Sequence, residues 1–157
     1  MRAIVVAILR GAGFALIKEA SDGAQAFEEM RVSAVDIALV DLNMSPLDGL
    51  EFTKMMRSAP DSPNPYLPII MMTGHTERTK VLAARDAGIN EFVAKPISVK
   101  TLLERIIAVI DRPRSFVKTK NYQGPCRRRG KTADFAGPWW RRDDPTNPHE
   151  TSTDQAN

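Results

Sequence analysis

The chain has a single cysteine, Cys126, in 157 residues, so no disulfide can form within it and a reducing compartment suits it. Its two histidines, His75 and His149, stand without partners at metal-ligand spacing, which gives no zinc-type site to argue for. No apolar run approaches the roughly 20 residues that span a bilayer. Met1-Arg2 followed by Ala3–Leu9 has the outline of a secretory leader, but Arg10 ends the run early and no small-residue cleavage site precedes Lys18 and Glu19. Neither membrane insertion nor secretion is expected, and the protein reads as cytoplasmic. A helix-turn-helix pattern, zinc-ligand spacing and a P-loop are also missing, which removes the common DNA-binding and nucleotide-hydrolysing classes.

What the chain does have is 43% apolar residues, enough for one domain with a proper core. Its net charge of +3 is unevenly placed. Residues 1–112 carry 13 basic and 14 acidic groups, whereas residues 113–157 carry 9 and 5. Residues 2–10 are apolar nearly all round and are followed by Gly11 and Gly13, which predicts a largely buried helix closed by glycine. Phe14–Ile17 predicts a short strand, and Ser21-Asp22-Gly23 turns the chain into a helix over 24–32. Ile37–Val40 is a strand buried on both faces, followed by a helix over 49–57. After a Pro/Ser/Asn-rich loop come a buried strand over 67–72, a helix over 77–86 and a strand over 91–94. Ser98 then caps a helix with the apolar stripe Leu102, Leu103, Ile106, Ile107 and Ile110. This alternation predicts an α/β domain over residues 1–112 with a doubly wound parallel sheet.

Beyond Pro113 the periodicity stops, and residues 113–157 read as a disordered basic and aromatic tail. It contains an internal echo, Tyr122-Gln-Gly-Pro-Cys-Arg-Arg and Phe135-Ala-Gly-Pro-Trp-Trp-Arg-Arg. Each copy is aromatic-x-Gly-Pro followed by arginines, which fits a short docking element as well as it fits an unselected tail. Arg114–Lys131 holds seven basic groups and no acidic ones. Nucleic acid is nevertheless not the expected partner, because such a run is more often only solvated.

Three successive buried strands end in Asp41, Thr73 and Lys95. In a parallel sheet these ends lie side by side at the carboxyl edge, where open α/β sheets place their chemistry. A carboxylate, a hydroxyl and an ammonium ion together suit transfer of a phosphoryl group to the carboxylate. Asp41 attacks, Thr73 binds a phosphoryl oxygen, and Lys95 offsets negative charge. Pro96 keeps the backbone after Lys95 out of the helical region, so that the lysine points along the sheet edge. The structural alternative is that Asp41 caps the next helix or only pairs with Lys95, with Thr73 capping the helix that follows it.

With Asn43-Met44 and Pro46-Leu-Asp-Gly49 after Asp41, with Thr73-Gly74 and Ala87-Gly88, and with Phe92 three residues before Lys95-Pro96, the chain resembles the receiver domain of bacterial two-component response regulators. That resemblance implies a flavodoxin-like, CheY-like sheet of order 2-1-3-4-5. It makes Asp41 the phosphoacceptor, has Thr73 and Lys95 hold the phosphoryl oxygens, and has the backbone carbonyl of Asn43 join Asp41 as a magnesium ligand. Phe92 becomes the aromatic that moves inward with Thr73 and, lacking a hydroxyl, switches by packing alone. The family's first strand and its pair of acidic metal ligands do not appear, since no acidic residue precedes Glu19. The magnesium site is therefore expected to be incomplete, and strand 1 is expected to be missing between its two neighbours. A start assigned too late is the explanation favoured, ahead of a strand borrowed from a partner and a decayed receiver.

The function expected is that of a stand-alone receiver, not an enzyme. It takes a phosphoryl group from a histidine kinase or phosphotransfer protein and signals by binding a downstream protein partner. By the resemblance, its output surface is formed by the helix from Glu77 and the strand and helix within Phe92–Ile110. The alternative is a phosphorylation-independent adaptor, a degenerate receiver that acts by docking alone.

Overall fold

The computed structural model describes residues 2–74 and 78–127. Its elements are α1 (Arg2–Gly11), α2 (Gly23–Val32), β1 (Ala38–Asp41), α3 (Gly49–Ser58), β2 (Ile69–Thr73), α4 (Arg78–Ala87), β3 (Glu91–Ala94), α5 (Val99–Asp111), β4 (Phe116–Thr119) and β5 (Tyr122–Pro125). Strands β1, β2 and β3 form a parallel sheet in that order, with Ala38 opposite Ile69 and Ile70 opposite Glu91. Every residue of β2 is buried. Because successive side chains alternate across a strand, Ile69 and Met71 enter one layer with Phe27, Phe52 and Met56 of α2 and α3. Ile70 and Met72 enter the other with Val5 of α1 and Leu102, Ile106 and Val109 of α5. Helices thus cover both faces of the sheet, as its continuous apolar strands require.

The helix starts are set by local hydrogen bonds. Asp22 accepts from the amides of Ala24 and Gln25, both at 2.9 Å, and opens α2. The Gln25 bond, foremost among several, holds the Asp22 carboxyl below its ordinary range. Asp48 accepts from Glu51 N at 2.8 Å while the Glu51 carboxylate accepts from Asp48 N at 3.2 Å, a reciprocal capping box for α3. The hydroxyl of Ser98 accepts from Thr101 N at 3.1 Å and opens α5.

The fold differs from the sequence expectation in three places. Helix α1 is not largely buried. Only Val5 is, with Ile8 and Leu9 partly covered, and Ile4 stands exposed, because a single face of the helix meets the core. Its end does close at glycine: Gly13 takes φ +91°, and Phe14 N donates to Leu9 O at 3.0 Å. Phe14–Ile17 is not a strand, and Leu16 is 98% exposed. β1 pairs only with β2 among the described residues, so this four-residue run has no ladder to join.

The third difference is the segment after Pro113. Residues 116–125 form an antiparallel hairpin, with Phe116 opposite Pro125 and Thr119 opposite Tyr122. It is anchored rather than loose. Phe116 packs edge-on to Tyr66 at 4.9 Å between ring centres and lies 5.1 Å from the Arg57 guanidinium. Gly124 meets Gly88 so closely that a Cβ on either would lie 2.8 Å from backbone of the other segment, and Gly88 itself takes φ +100°. Arg127 stacks on the Tyr122 ring at 4.0 Å and pairs with Asp86 of α4 at 3.1 Å. The first copy of the aromatic-x-Gly-Pro echo is therefore spent on packing within this domain. Tyr122 donates to Pro125 O at 2.7 Å, and burial pushes its phenol pKa up. The second copy lies outside the described residues.

Candidate functional site

The parallel register brings the three predicted strand ends together. Thr73 is opposite Ala94, the Lys95 amide donates to Thr73 O at 2.8 Å, and the Leu42 amide donates to Met72 O at 2.9 Å. Asp41, Thr73 and Lys95 thus sit on adjoining strands at the carboxyl edge of the sheet. Lys95 Nζ lies 2.5 Å from Asp41 Oδ2, with the two side chains 16% and 25% exposed. The other carboxylate oxygen, Oδ1, accepts from the Asn43 amide at 2.9 Å. Thr73 is buried. A short bond between opposite charges, partly shielded from water, is worth roughly 1.5–3 kcal/mol.

Gly49 lets α3 start close beneath the acid. A Cβ there would lie 2.5 Å from Asp41 O and 3.0 Å from Leu42 Cα, and the Gly49 amide donates to Leu42 O at 3.2 Å. The first turn of α3 is thereby held against the backbone that carries Asp41. The alternative in which Asp41 caps the next helix has no place here, because Asp48 does so. Phe92, opposite Met71, packs partly buried against the layer formed by α2 and α3. Beside Asp41 an open depression is lined by Leu42, Asn43, Met44, Ser45, Asp48 and Leu50.

Magnesium favours an octahedral oxygen shell, usually completed by one or two carboxylates together with phosphate. Asp41 has both oxygens engaged, and Asp48 is committed to the α3 cap. Among the described residues no group of three or more His, Cys, Asp or Glu could hold a metal. The described donors therefore do not fit a magnesium ion.

One buried charged residue was not foreseen. Arg57, at the end of α3, is 2% exposed, and its guanidinium donates to the carbonyls of Gly88 at 2.9 Å, Pro65 at 2.9 Å and Leu67 at 2.7 Å. It ties the loop before β2, the turn before β3 and, through Phe116, the hairpin. Burial lowers its pKa to about 10. An arginine in the last turn of a helix ordinarily reads as a dipole partner, so the sequence carried no signal of this role.

The model of the response regulator receiver domain matches residues 1–107. The chain belongs to that family. This receiver is 32% identical over 112 residues to chemotaxis protein CheY-3 of Vibrio cholerae, covering 71% of this chain and 85% of that protein. Among solved structures it is similar to the Vibrio cholerae chemotaxis protein CheY4, with a TM-score of 0.63 and 30% identity over 69% of this chain and 88% of that one. It is also similar to the receiver domain of the sensor histidine kinase PA1611 from Pseudomonas aeruginosa PAO1, with a TM-score of 0.58 and 28% identity over 68% and 84%. The PA1611 structure has a magnesium ion coordinated in its active site cleft. Receiver domains are signalling modules of two-component systems that interact with histidine kinases and downstream effectors. No helix among the described residues of this receiver is long and apolar enough to cross a membrane.

Proposed function

We propose that this receiver acts alone in the cytoplasm, accepting a phosphoryl group on Asp41 from a histidine kinase or phosphotransfer protein and signalling by binding a downstream protein. The reading rests above all on the 2.5 Å contact between Lys95 and Asp41, with Thr73 on the adjoining strand end. In the transfer, an Asp41 oxygen attacks the phosphorus of a phosphohistidine. The P–N bond breaks and its electron pair stays on the imidazole. The Lys95 ammonium passes from the carboxylate to a phosphoryl oxygen, and the Thr73 hydroxyl donates to another. Phe92, buried on one side only, follows Thr73 inward by packing. Asp41 and the Asn43 carbonyl are the donors this chain offers a magnesium ion, and they fall short of its shell, so no step here is routed through the metal.

The engagement of both Asp41 oxygens and the poor fit to magnesium favour a second reading, an adaptor whose docking ignores phosphorylation. Intact mass after incubation with a small phosphodonor and magnesium, beside Asp41→Asn, separates the two. One added phosphoryl group on the unmutated chain alone supports transfer. No addition to a folded sample refutes it for this chain, and leaves docking.

A further inference from the structure

The Asp41 carboxylate already has a cation, and the fold holds it in place. Lys95 Nζ stands 2.5 Å from Oδ2, while the Asn43 amide donates to Oδ1 at 2.9 Å. The lysine is fixed at both ends of its stem. Its own amide donates to Thr73 O at 2.8 Å. The stem then runs past Gly74, where an added Cβ would lie 3.9 Å from Lys95 Cδ, and the side chain is only 16% exposed. A surface lysine leaves a carboxylate at little cost, but one confined in this way does not. A divalent ion at Oδ2 would stand close against that ammonium, and further carboxylates would be needed to offset the repulsion. The acids at the start of α3 are committed elsewhere: Asp48 accepts from Glu51 N, and Glu51 accepts from Asp48 N. Approach from the backbone side is closed by Gly49, whose Cβ position is 2.5 Å from Asp41 O.

We infer that Lys95 is the resident cation of this site, standing where a divalent ion would stand, and that magnesium acts on neither the carboxylate nor its chemistry. This goes further than a poor fit. A shell that is merely incomplete still takes up metal weakly and responds as the concentration rises. A shell whose carboxylate oxygen is already occupied does not respond, and it makes two predictions of opposite sign. The parent chain is indifferent to magnesium, whereas removing the ammonium uncovers Oδ2 and creates a response. The part of the inference that concerns chemistry rests on Asp41 as the phosphoacceptor. The part that concerns who holds the carboxylate stands on the geometry alone.

Amide chemical shifts of the nitrogen-15-labelled full chain test it, in magnesium chloride up to about 20 mM against sodium chloride of equal ionic strength, which matches the screening. In the parent, Leu42, Asn43 and Lys95 should move no more with magnesium than with sodium. Lys95→Met and Lys95→Gln both remove the ammonium, so one can serve if the other fails to fold, and in either the amides of Leu42 and Asn43 should shift with magnesium beyond the sodium control. A saturable shift in the parent with a midpoint below about 5 mM overturns the inference. So do folded variants as indifferent as the parent, because the lysine is then not what keeps the metal out. Intact mass after incubation with a small phosphodonor separates this inference from the transfer reading. Equal addition to Asp41 in excess EDTA and in magnesium supports both. Addition in magnesium alone overturns the inference and keeps the acceptor. No addition in either overturns the acceptor, and the amide titration still decides the cation.

Discussion

Replacing Arg57 by methionine, which keeps the length of the side chain and removes its charge, sets two opposed terms against each other. Burial holds the guanidinium pKa at about 10, against ~12.5 when exposed. At about 1.4 kcal/mol per tenfold in proton affinity, keeping the charge inside costs roughly 3 kcal/mol, which methionine would return. Against that stand three bonds from a charged donor to the carbonyls of Gly88, Pro65 and Leu67. Each is worth about 1.5–3 kcal/mol, so roughly 5–9 kcal/mol is lost when those buried acceptors lose their donor. The net is a destabilisation of roughly 2–6 kcal/mol, a large share of the ~5–15 kcal/mol that holds a domain folded. At about 4 °C per kcal/mol for a domain of this size, the melting temperature should fall by about 8 °C or more. Thermal unfolding followed by circular dichroism reads it. An Arg57→Met chain that melts within about 2 °C of the parent would refute the idea that Arg57 is a structural tie rather than a tolerated charge.

Gly49→Ala should cost about 1–3 kcal/mol in urea unfolding, because its Cβ meets backbone at Asp41 O and Leu42 Cα, neither of which can swing aside. Gly11→Ala, with nothing within 4 Å of the added carbon, should leave the midpoint unchanged or slightly raised. Asp22 has a lowered pKa in the folded chain, so its contribution is present above the unfolded value near ~3.9 and is lost as pH falls through the folded one. Asp22→Asn should therefore lower the urea midpoint at pH 7 and leave a smaller difference from the parent near pH 3. An equal difference at both pH values would remove the charge from the explanation of that cap.

The core of the domain and the meeting of Asp41, Thr73 and Lys95 at one sheet edge were legible in the sequence because each of the three ends an apolar run. Ile37–Val40 leads to Asp41, Ile69–Met72 to Thr73, and Phe92–Ala94 to Lys95. A continuous apolar strand predicts burial on both faces, and parallel pairing then leaves little choice about where its end lies. Phe14–Ile17 failed on the same logic, because a strand is completed by a neighbour and an apolar tetrad does not say whether one is there. The hairpin was hidden by the composition of its surroundings. Phe116-Val-Lys-Thr119 and Tyr122-Gln123, about a Lys120-Asn121 turn, are residues that favour strands, but proline, arginine and glycine on either side gave the stretch the look of a tail. Arg57 was illegible in principle, since its partners are carbonyls of two separate loops. Carbonyls leave no mark on side-chain identity.

The full burial of β2 also has a kinetic meaning. Ala38 finds Ile69, and Ile70 finds Glu91, only after stretches of some 20 to 30 residues have closed into loops. The central sheet therefore cannot nucleate from neighbouring residues, whereas β4 and β5, joined by two residues, can pair in about 1–10 μs. The last of the described strands can be the first to meet, and must wait as an orphan ribbon until the slow sheet supplies Arg57 and Gly88 for them to rest on.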